Sequence, residues 1–150
     1  MEKKRKIIPP VYLGLTLVLM WLCHRFIPIR QFIDEPLAYL GVTLVLFGIT
    51  MAAVSAAKFK LLKTGLEPFD EATALVTSGF YRITRNPMYV GMFMMLAGVA
   101  VLMGSLGAWL PVPAFILVIR YNFVLGEERF MEAAFGQQYL DYKSSVRRWI

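Results

Sequence analysis

Long runs without a charged residue constrain this chain more than any other feature. Leu37–Ala57 holds 21 uncharged residues, and Pro87–Ile119 holds 33. About 20 apolar residues are enough for a helix to cross the hydrocarbon core of a bilayer. The first run therefore predicts one membrane span. The second run is too long for one ordinary span, and Gly104-Ser105-Leu106-Gly107 predicts a turn that divides it.

The apolar pattern predicts an all-helical fold, a multi-pass integral membrane protein that forms a single domain over residues 1–150. Gly41 and Gly48 predict close helix packing, because small residues let helix backbones approach each other. Pro111 and Pro113 are expected to bend the fourth helix or to lie near its start. We expect spans at about Ile7–Cys23, Leu37–Ala57, Pro87–Met103 and Ala108–Leu125, then a helix over Glu127–Phe135 and an interfacial helix over Gln137–Val146.

Composition agrees with a membrane location. Hydrophobic residues make up 58% of the chain and mean hydropathy is +0.59, above the values of ordinary soluble domains. The net charge of +6 then fits basic residues facing an anionic membrane surface better than it fits nucleic acid. Cys23 and His24 are the only cysteine and histidine, which excludes a cysteine metal motif and a two-histidine metal site within one chain.

The placement of lysine and arginine predicts the orientation in the membrane. With four spans and the N-terminus inside, fourteen of the sixteen basic residues fall on one side or at its boundary, and only Arg25 and Arg30 fall on the other. Both termini are therefore expected to be cytoplasmic. The polar stretch Lys58–Asn86 and the chain from Gly126 onward then lie on the same side, where they can form one site.

These two polar segments carry residues suited to a ligand with charges of both signs. Pro87 predicts a helix N-terminus, where free amide groups and the helix dipole, with Arg85 beside them, favour an anion. Glu127 and the rings of Tyr81 and Tyr89 attract a cationic group. S-adenosylmethionine has a sulfonium, an amino group and a carboxylate. It matches such a site, although these residue types are not unique to it.

Three groups of residues carry a family resemblance. They are Leu75-Val76-Thr77-Ser78-Gly79-Phe80-Tyr81, then Arg85-Asn86-Pro87-Met88-Tyr89-Val90-Gly91, and Glu127-Glu128 followed by Phe135-Gly136, Tyr139 and Tyr142. In this pattern the chain resembles the isoprenylcysteine carboxyl methyltransferase family, and integral-membrane phospholipid methyltransferases share much of it. The resemblance covers about half of the chain, Thr73 to Arg148. It implies a helical membrane enzyme that uses S-adenosylmethionine without a Rossmann domain, and no Gly-x-Gly-x-x-Gly motif follows a strand here.

The resemblance also assigns site residues by position. Its cofactor contacts fall on Thr73, Ala74, Leu75, Val76, Tyr81, Asn86, Pro87, Met88, Tyr89 and Glu127, and the chemistry of the site adds Arg85. The family often has histidine where this chain has Asn86, which can form hydrogen bonds but cannot act as a base near neutral pH. Eukaryotic members place an arginine for the substrate carboxylate where this chain has Phe123. Arg120, seven residues before Glu127 on roughly the same helical face, is the expected replacement.

The predicted function is methyl transfer from S-adenosylmethionine to a lipophilic acceptor that enters from the bilayer. A carboxylate acceptor is favoured because it needs no general base, whereas an amine or thiol must lose a proton, with Glu128 or a tyrosine as the candidate base. Membrane lipid and a lipid-like substrate are the expected partners, without nucleic acid or metal. The alternatives are a phospholipid or amine N-methyltransferase, a non-catalytic membrane binding or assembly protein, and a nicotinamide-dependent membrane reductase.

Overall fold

The computed structural model describes residues 8–27, 29–30, 35–62 and 74–150, and all regular structure within them is helical. A π-helical turn at Arg120–Val124 joins the fourth and fifth helices, and 3-10 turns occupy Gly79–Arg82 and Leu106–Trp109. The all-helical prediction is confirmed for these residues. The helices are α1 (Pro9–Phe26), α2 (Glu35–Leu61), α3 (Pro87–Met103), α4 (Pro111–Ile119), α5 (Leu125–Phe135) and α6 (Gln137–Ser145).

Glycines bring the backbones of α2 and α3 into direct contact. A Cβ atom added to Gly48 would lie 2.5 Å from the carbonyl oxygen of Gly91, and one added to Gly98 would lie 2.6 Å from that of Gly41. Because Gly48 faces Gly91 and Gly41 faces Gly98, the two helices run antiparallel. The close packing predicted from Gly41 and Gly48 is confirmed, and it holds the start of α3 beside the end of α2.

α3 forms the centre of the molecule. Its Leu96 and Ala100 are fully buried, in one core cluster with Met20 of α1 and with Phe115 and Ile119 of α4. α3 ends at Met103, and the next residue, Gly104, has a φ of 62° in the left-handed region that glycine adopts without strain. The chain therefore turns back at this point, as the glycine-rich sequence predicted, and α4 returns along α3.

Apolar side chains on the outside of α1 and α2 remain exposed, as expected of surfaces that face lipid. They include Leu15, Val18, Leu19 and Trp21 on α1 and Leu40, Leu46, Phe47 and Ile49 on α2. By length and composition, two helices within the described residues can cross a membrane, Ala38–Leu61 and Leu106–Phe135, while α3 is apolar but shorter. The count of four spans therefore stays a prediction.

The span expected from about Ala108 begins with a 3-10 turn. Residues Leu106–Trp109 form this turn, and the regular α-helix α4 starts at Pro111. Pro111 and Pro113 both lie in the first turn of α4, where the missing amide hydrogens cost little, so they start the helix rather than bend it. The departure from α-helical geometry lies instead in the π-helical turn between α4 and α5.

The first two helices continue beyond their predicted ends. α1 runs to Phe26 rather than Cys23, and α2 runs to Leu61 rather than Ala57. Lys58 and Lys60 thus lie in the last turn of α2, where positive charge is favourable at the negative end of the helix dipole. The predicted start of the first span, Ile7, lies outside the described residues.

The glycine contact predicts that Gly48→Ala destabilises the protein by about 1–3 kcal/mol, the usual cost of overpacking. Gly14→Ala is the matched control, since nothing lies within 4 Å of a Cβ at that position in α1, and alanine favours a helix over glycine. Thermal unfolding in one detergent measures both. We expect a lower midpoint for Gly48→Ala and an unchanged or higher one for Gly14→Ala. Equal midpoints would contradict the close packing of α2 on α3.

Candidate active site

The stretch before α3 is held against the end of α2. Lys58 Nζ donates a hydrogen bond of 3.0 Å to Ser78 Oγ, and the rings of Phe59 and Tyr81 meet edge to face with centroids 5.7 Å apart. Pro87 occupies the first position of α3, as its sequence context predicted. One end of the molecule therefore carries the polar loop, residues 74–86, and the N-terminus of α3. The start of α5 lies at the same end.

Tyr89 and Glu127 join the first turn of α3 to α5. The Tyr89 hydroxyl donates a hydrogen bond of 2.6 Å to Glu127 Oε1, across 38 residues of sequence. The Tyr89 side chain is buried and Glu127 is partly buried. Hydrogen bonds to an ionised carboxylate are shorter and about twice as strong as those between neutral groups. The two segments predicted to share a site are thus in direct contact.

Tyr81 lies buried close to this pair, and its hydroxyl has no hydrogen-bond partner among the described residues. Its backbone carbonyl accepts a 2.7 Å hydrogen bond from the Tyr142 hydroxyl, which fixes the residue. Burial, together with Tyr142 and Glu127 nearby, raises the pKa of Tyr81 far above its usual range. The phenol therefore stays protonated at neutral pH.

Asn86 lies directly before α3 and binds the C-terminal segment, which we define as Val146–Ile150. Its side-chain Nδ2 donates to the backbone carbonyl of Arg148 at 2.9 Å, and its backbone amide donates to Thr84 Oγ1 at 3.2 Å. An asparagine side chain has two N–H groups and a carbonyl oxygen. The bond to Arg148 uses one N–H group and fixes the side chain.

Glu128 is a neighbour of Glu127 but binds different partners. Arg148 donates from Nε to Glu128 Oε1 and from Nη2 to Oε2, each at 2.8 Å. Arg85 Nη1 lies 3.3 Å from the same Oε1, and the side chains of Arg85 and Glu128 are each only 8% exposed. The sequence made Glu128 a candidate base, but here both carboxylate oxygens face guanidinium groups. A base role for Glu128 stays a prediction.

Arg120 lies at the start of the π-helical turn. In a regular α-helix, Arg120 would lie seven residues before Glu127 on roughly the same face, as the sequence predicts. The π-helical turn Arg120–Val124 inserts about one residue into the register, a rotation of roughly 100°, so the same-face argument is wrong. The Arg120 guanidinium lies 5.7 Å from the ring centroid of the neighbouring Tyr121. A catalytic role for Arg120 stays a prediction.

The remaining predicted cofactor residues lie around the same loop. Ala74, Leu75 and Val76 form an irregular stretch before the 3-10 turn, and Val76 is buried there. Met88 is partly buried in the first turn of α3. Thr73 lies outside the described residues. Contacts of these residues with a cofactor stay a prediction.

An apolar cavity of about 310 Å³ adjoins Tyr89. The hydroxyl of Tyr89 bonds Glu127, and Tyr89 also lines the cavity. Tyr89 therefore borders both the polar contact with Glu127 and the apolar cavity. The cavity is lined by Tyr89, Val90 and Phe93 of α3, Phe115, Ile116 and Ile119 of α4, and Trp149 and Ile150 of the C-terminal segment.

The C-terminal segment makes contacts that its sequence does not indicate. Arg148 contacts α5 and the loop before α3, and Trp149 lines the cavity. A basic and aromatic run of this kind is equally typical of membrane anchoring. Nothing in its spacing shows that it folds back onto Thr84.

Comparison with known proteins identifies the family. The family model described as phospholipid methyltransferase matches residues 37–138, and the chain therefore belongs to the phospholipid methyltransferase family. This confirms the resemblance to membrane methyltransferases of the isoprenylcysteine and phospholipid type. It also agrees with the apolar helices and with a polar site at one end of them.

Two relatives extend this finding. A protein of Haemophilus influenzae described as uncharacterized is 40% identical over 63 residues, which are 42% of this chain and 100% of that protein. Protein-S-isoprenylcysteine O-methyltransferase A of Arabidopsis thaliana is 36% identical over 83 residues, which are 52% of this chain but only 40% of that protein. No solved structure matches the chain significantly.

Replacement of Tyr142 and of Tyr81 by phenylalanine should have opposite effects on the free energy of unfolding. Tyr142→Phe removes a hydrogen bond to the Tyr81 carbonyl and should lower the free energy of unfolding by about 1 kcal/mol. Tyr81→Phe removes a buried hydroxyl without a partner among the described residues, so the ligand-free protein should be as stable as wild type or more stable. Unfolding of both variants in detergent tests this. A larger loss for Tyr81→Phe would contradict the described geometry.

Proposed function

We propose that the protein transfers the methyl group of S-adenosylmethionine to a lipophilic acceptor at the cytoplasmic face of the membrane, and that the preferred acceptor is a carboxylate. Membership of the phospholipid methyltransferase family supports methyl transfer. The single observation that carries the site is the hydrogen bond between Tyr89 and Glu127, which sets a carboxylate and buried aromatic rings beside the N-terminus of α3.

The residues present fit the charges of this cofactor. Its sulfonium and amino groups are cationic, and Glu127 with the rings of Tyr81 and Tyr89 offers a carboxylate and two π faces. Its own carboxylate needs donors, which the first amides of α3 and the buried Nε of Arg85 supply. That Nε has no hydrogen-bond partner among the described residues. We assign cofactor binding to Thr73, Ala74, Leu75, Val76, Tyr81, Arg85, Asn86, Pro87, Met88, Tyr89 and Glu127.

The apolar cavity beside Tyr89 is the proposed place of the acceptor chain. Its volume of about 310 Å³ is at the lower end of the range of ligand pockets, about 300–1,000 Å³, so it suits one apolar chain. The cofactor would supply an electrophilic methyl group. The protein's part is then to orient the acceptor toward the Tyr89–Glu127 pair and to exclude water from it.

The protonation and pairing of the candidate bases support a carboxylate acceptor. Burial raises the pKa of Tyr81, so its phenol stays protonated at neutral pH and cannot accept a proton, and Glu128 is bound to two arginines. A carboxylate is already a nucleophile at neutral pH and needs neither residue to take a proton. These features favour an acceptor that reacts without a general base.

A phospholipid or amine N-methyltransferase is the second candidate, and the description of the matched family favours it. Phe123 stands where the isoprenylcysteine enzymes resembled by this chain have an arginine for the substrate carboxylate. It is 2% exposed and packs near the ring of Tyr89, with centroids 6.5 Å apart. An amine acceptor would need a base, and Glu128 would then have to leave at least one arginine.

The proposal includes a topology of four spans, α1, α2, α3 and α4 with α5, in a single domain with both termini cytoplasmic. Its support is the distribution of basic residues and the antiparallel pairing of α2 with α3. The polar loop before α3 and the residues after Gly126 lie at one end of these helices. The motif-bearing core of the site is residues 73–148.

Purified protein incubated with methyl-labelled S-adenosylmethionine and a total lipid extract tests the function. We expect a labelled lipophilic product whose label is released by mild base, as for a methyl ester. A base-stable label on an amine would favour the second candidate. No product and no saturable donor binding would contradict the proposal and favour a non-catalytic binding or assembly protein.

Binding of labelled S-adenosylmethionine to purified variants tests the proposed donor site. Glu127→Ala and Tyr89→Ala should each weaken donor binding by about tenfold or more, since each removes a charged or aromatic contact worth about 1.4 kcal/mol or more. Glu132→Ala is the matched control, because Glu132 lies farther along α5 and pairs with Lys143 at the half-exposed surface. Normal donor affinity in both site variants would contradict the assignment.

A further inference from the structure

We propose that Glu128 is a positioning residue: with Arg85 and Arg148 it forms a charge clamp that fastens the C-terminal segment, Val146–Ile150, over the turn before α3. The clamp thereby fixes Asn86 and the first turn of α3, where the proposed function places the donor. This role differs from that of a general base, which must present a free lone pair to the substrate.

The geometry of the carboxylate carries the first step. Both Glu128 oxygens accept hydrogen bonds of 2.8 Å from the two prongs of the Arg148 guanidinium, and Arg85 Nη1 lies 3.3 Å from one of them. A two-pronged contact of this kind fixes direction as well as distance. The Glu128 side chain is only 8% exposed and that of Arg148 is 28% exposed, so the carboxylate lies beneath the guanidinium that covers it.

The backbone of the C-terminal segment continues the same attachment. Arg85 donates its backbone amide to the carbonyl of Arg147 at 2.9 Å, within a parallel bridge between Thr84 and Arg147. The carbonyl of Arg148 accepts from Thr84 Oγ1 at 3.0 Å and from Asn86 Nδ2 at 2.9 Å. Arg148 therefore holds Glu128 with its side chain and the turn before α3 with its backbone.

The far end of the segment reaches the acceptor cavity. Trp149 packs against the core cluster, and both Trp149 and Ile150 line the cavity beside Tyr89. Release of Arg148 from Glu128 would therefore loosen two things together, the turn that carries Asn86 and one wall of the cavity. The clamp joins the proposed donor site to the proposed acceptor site.

Removal of the Glu128 charge is the direct perturbation, and Glu128→Gln keeps the size of the side chain. Arg148→Ala removes the other half of the clamp, and Arg148→Lys keeps the charge but loses the two-pronged contact. Glu132→Gln is the matched control, since Glu132 also lies on α5 and pairs with Lys143 of α6. The two glutamates differ in burial and in the segment they hold.

Amide hydrogen exchange in detergent, without donor, tests the clamp independently of the proposed function. We expect Glu128→Gln and Arg148→Ala to speed exchange in the peptides that contain Thr84–Tyr89 and Val146–Ile150. Arg148→Lys should give an intermediate rate, and Glu132→Gln the wild-type rate. Unchanged exchange in Glu128→Gln, with the protein still folded, would overturn the proposal.

Kinetics then separate positioning from proton transfer. A positioning role predicts that Glu128→Gln raises the KM for the donor about tenfold while kcat changes little, with partial rescue in Arg148→Lys relative to Arg148→Ala. A general base predicts a loss of about 10²–10⁴ in kcat with the acidic limb of the pH profile removed, and this outcome would overturn the proposal. If wild type neither binds donor nor transfers methyl, the proposed function fails while the exchange result still decides the clamp.

Discussion

The hydrogen bond from Tyr89 to Glu127 is the interaction on which the site depends. It lies between the first turn of α3 and the first turn of α5, so it forms only if both elements reach the same end of the molecule. The glycine contacts fix the position of α3 along α2. The turn at Gly104 then leads the chain back, so that α4 runs along α3. The Tyr89 phenol offsets part of the cost of burying the Glu127 carboxylate because it donates a hydrogen bond to it.

Two adjacent glutamates on α5 bind different partners because successive residues of a helix differ by about 100° in direction. Glu127 faces Tyr89 and the α3 side, whereas Glu128 faces Arg85 and Arg148. The π-helical turn just before α5 sets the direction in which the α5 side chains point relative to those of α4. Single π-turns occur often at functional sites, and here one decides which side chains of the long helix face the cavity and which face the loop.

The helices were predictable because uncharged runs of this length leave few alternatives in a bilayer, and Pro87, Gly104 and the glycines of α2 marked starts, turns and close contacts. The pairing of the two polar segments was predictable from basic-residue placement. The π-helical turn was not, since Arg120–Val124 carries no residue that signals it, and it invalidated the argument for Arg120. The partners of Glu128 were also missed, because side chains brought together by the return of the C-terminal segment leave no spacing in the sequence.

A double-mutant cycle on Tyr89→Phe and Glu127→Gln tests the central contact most directly. The free energy of unfolding is measured in one detergent for wild type, both single variants and the double variant. A direct hydrogen bond to a carboxylate predicts a coupling energy of about 1–3 kcal/mol, so the double variant should lose less stability than the sum of the single losses. Additive losses, with a coupling energy near zero, would show that the two side chains do not touch and would contradict the account.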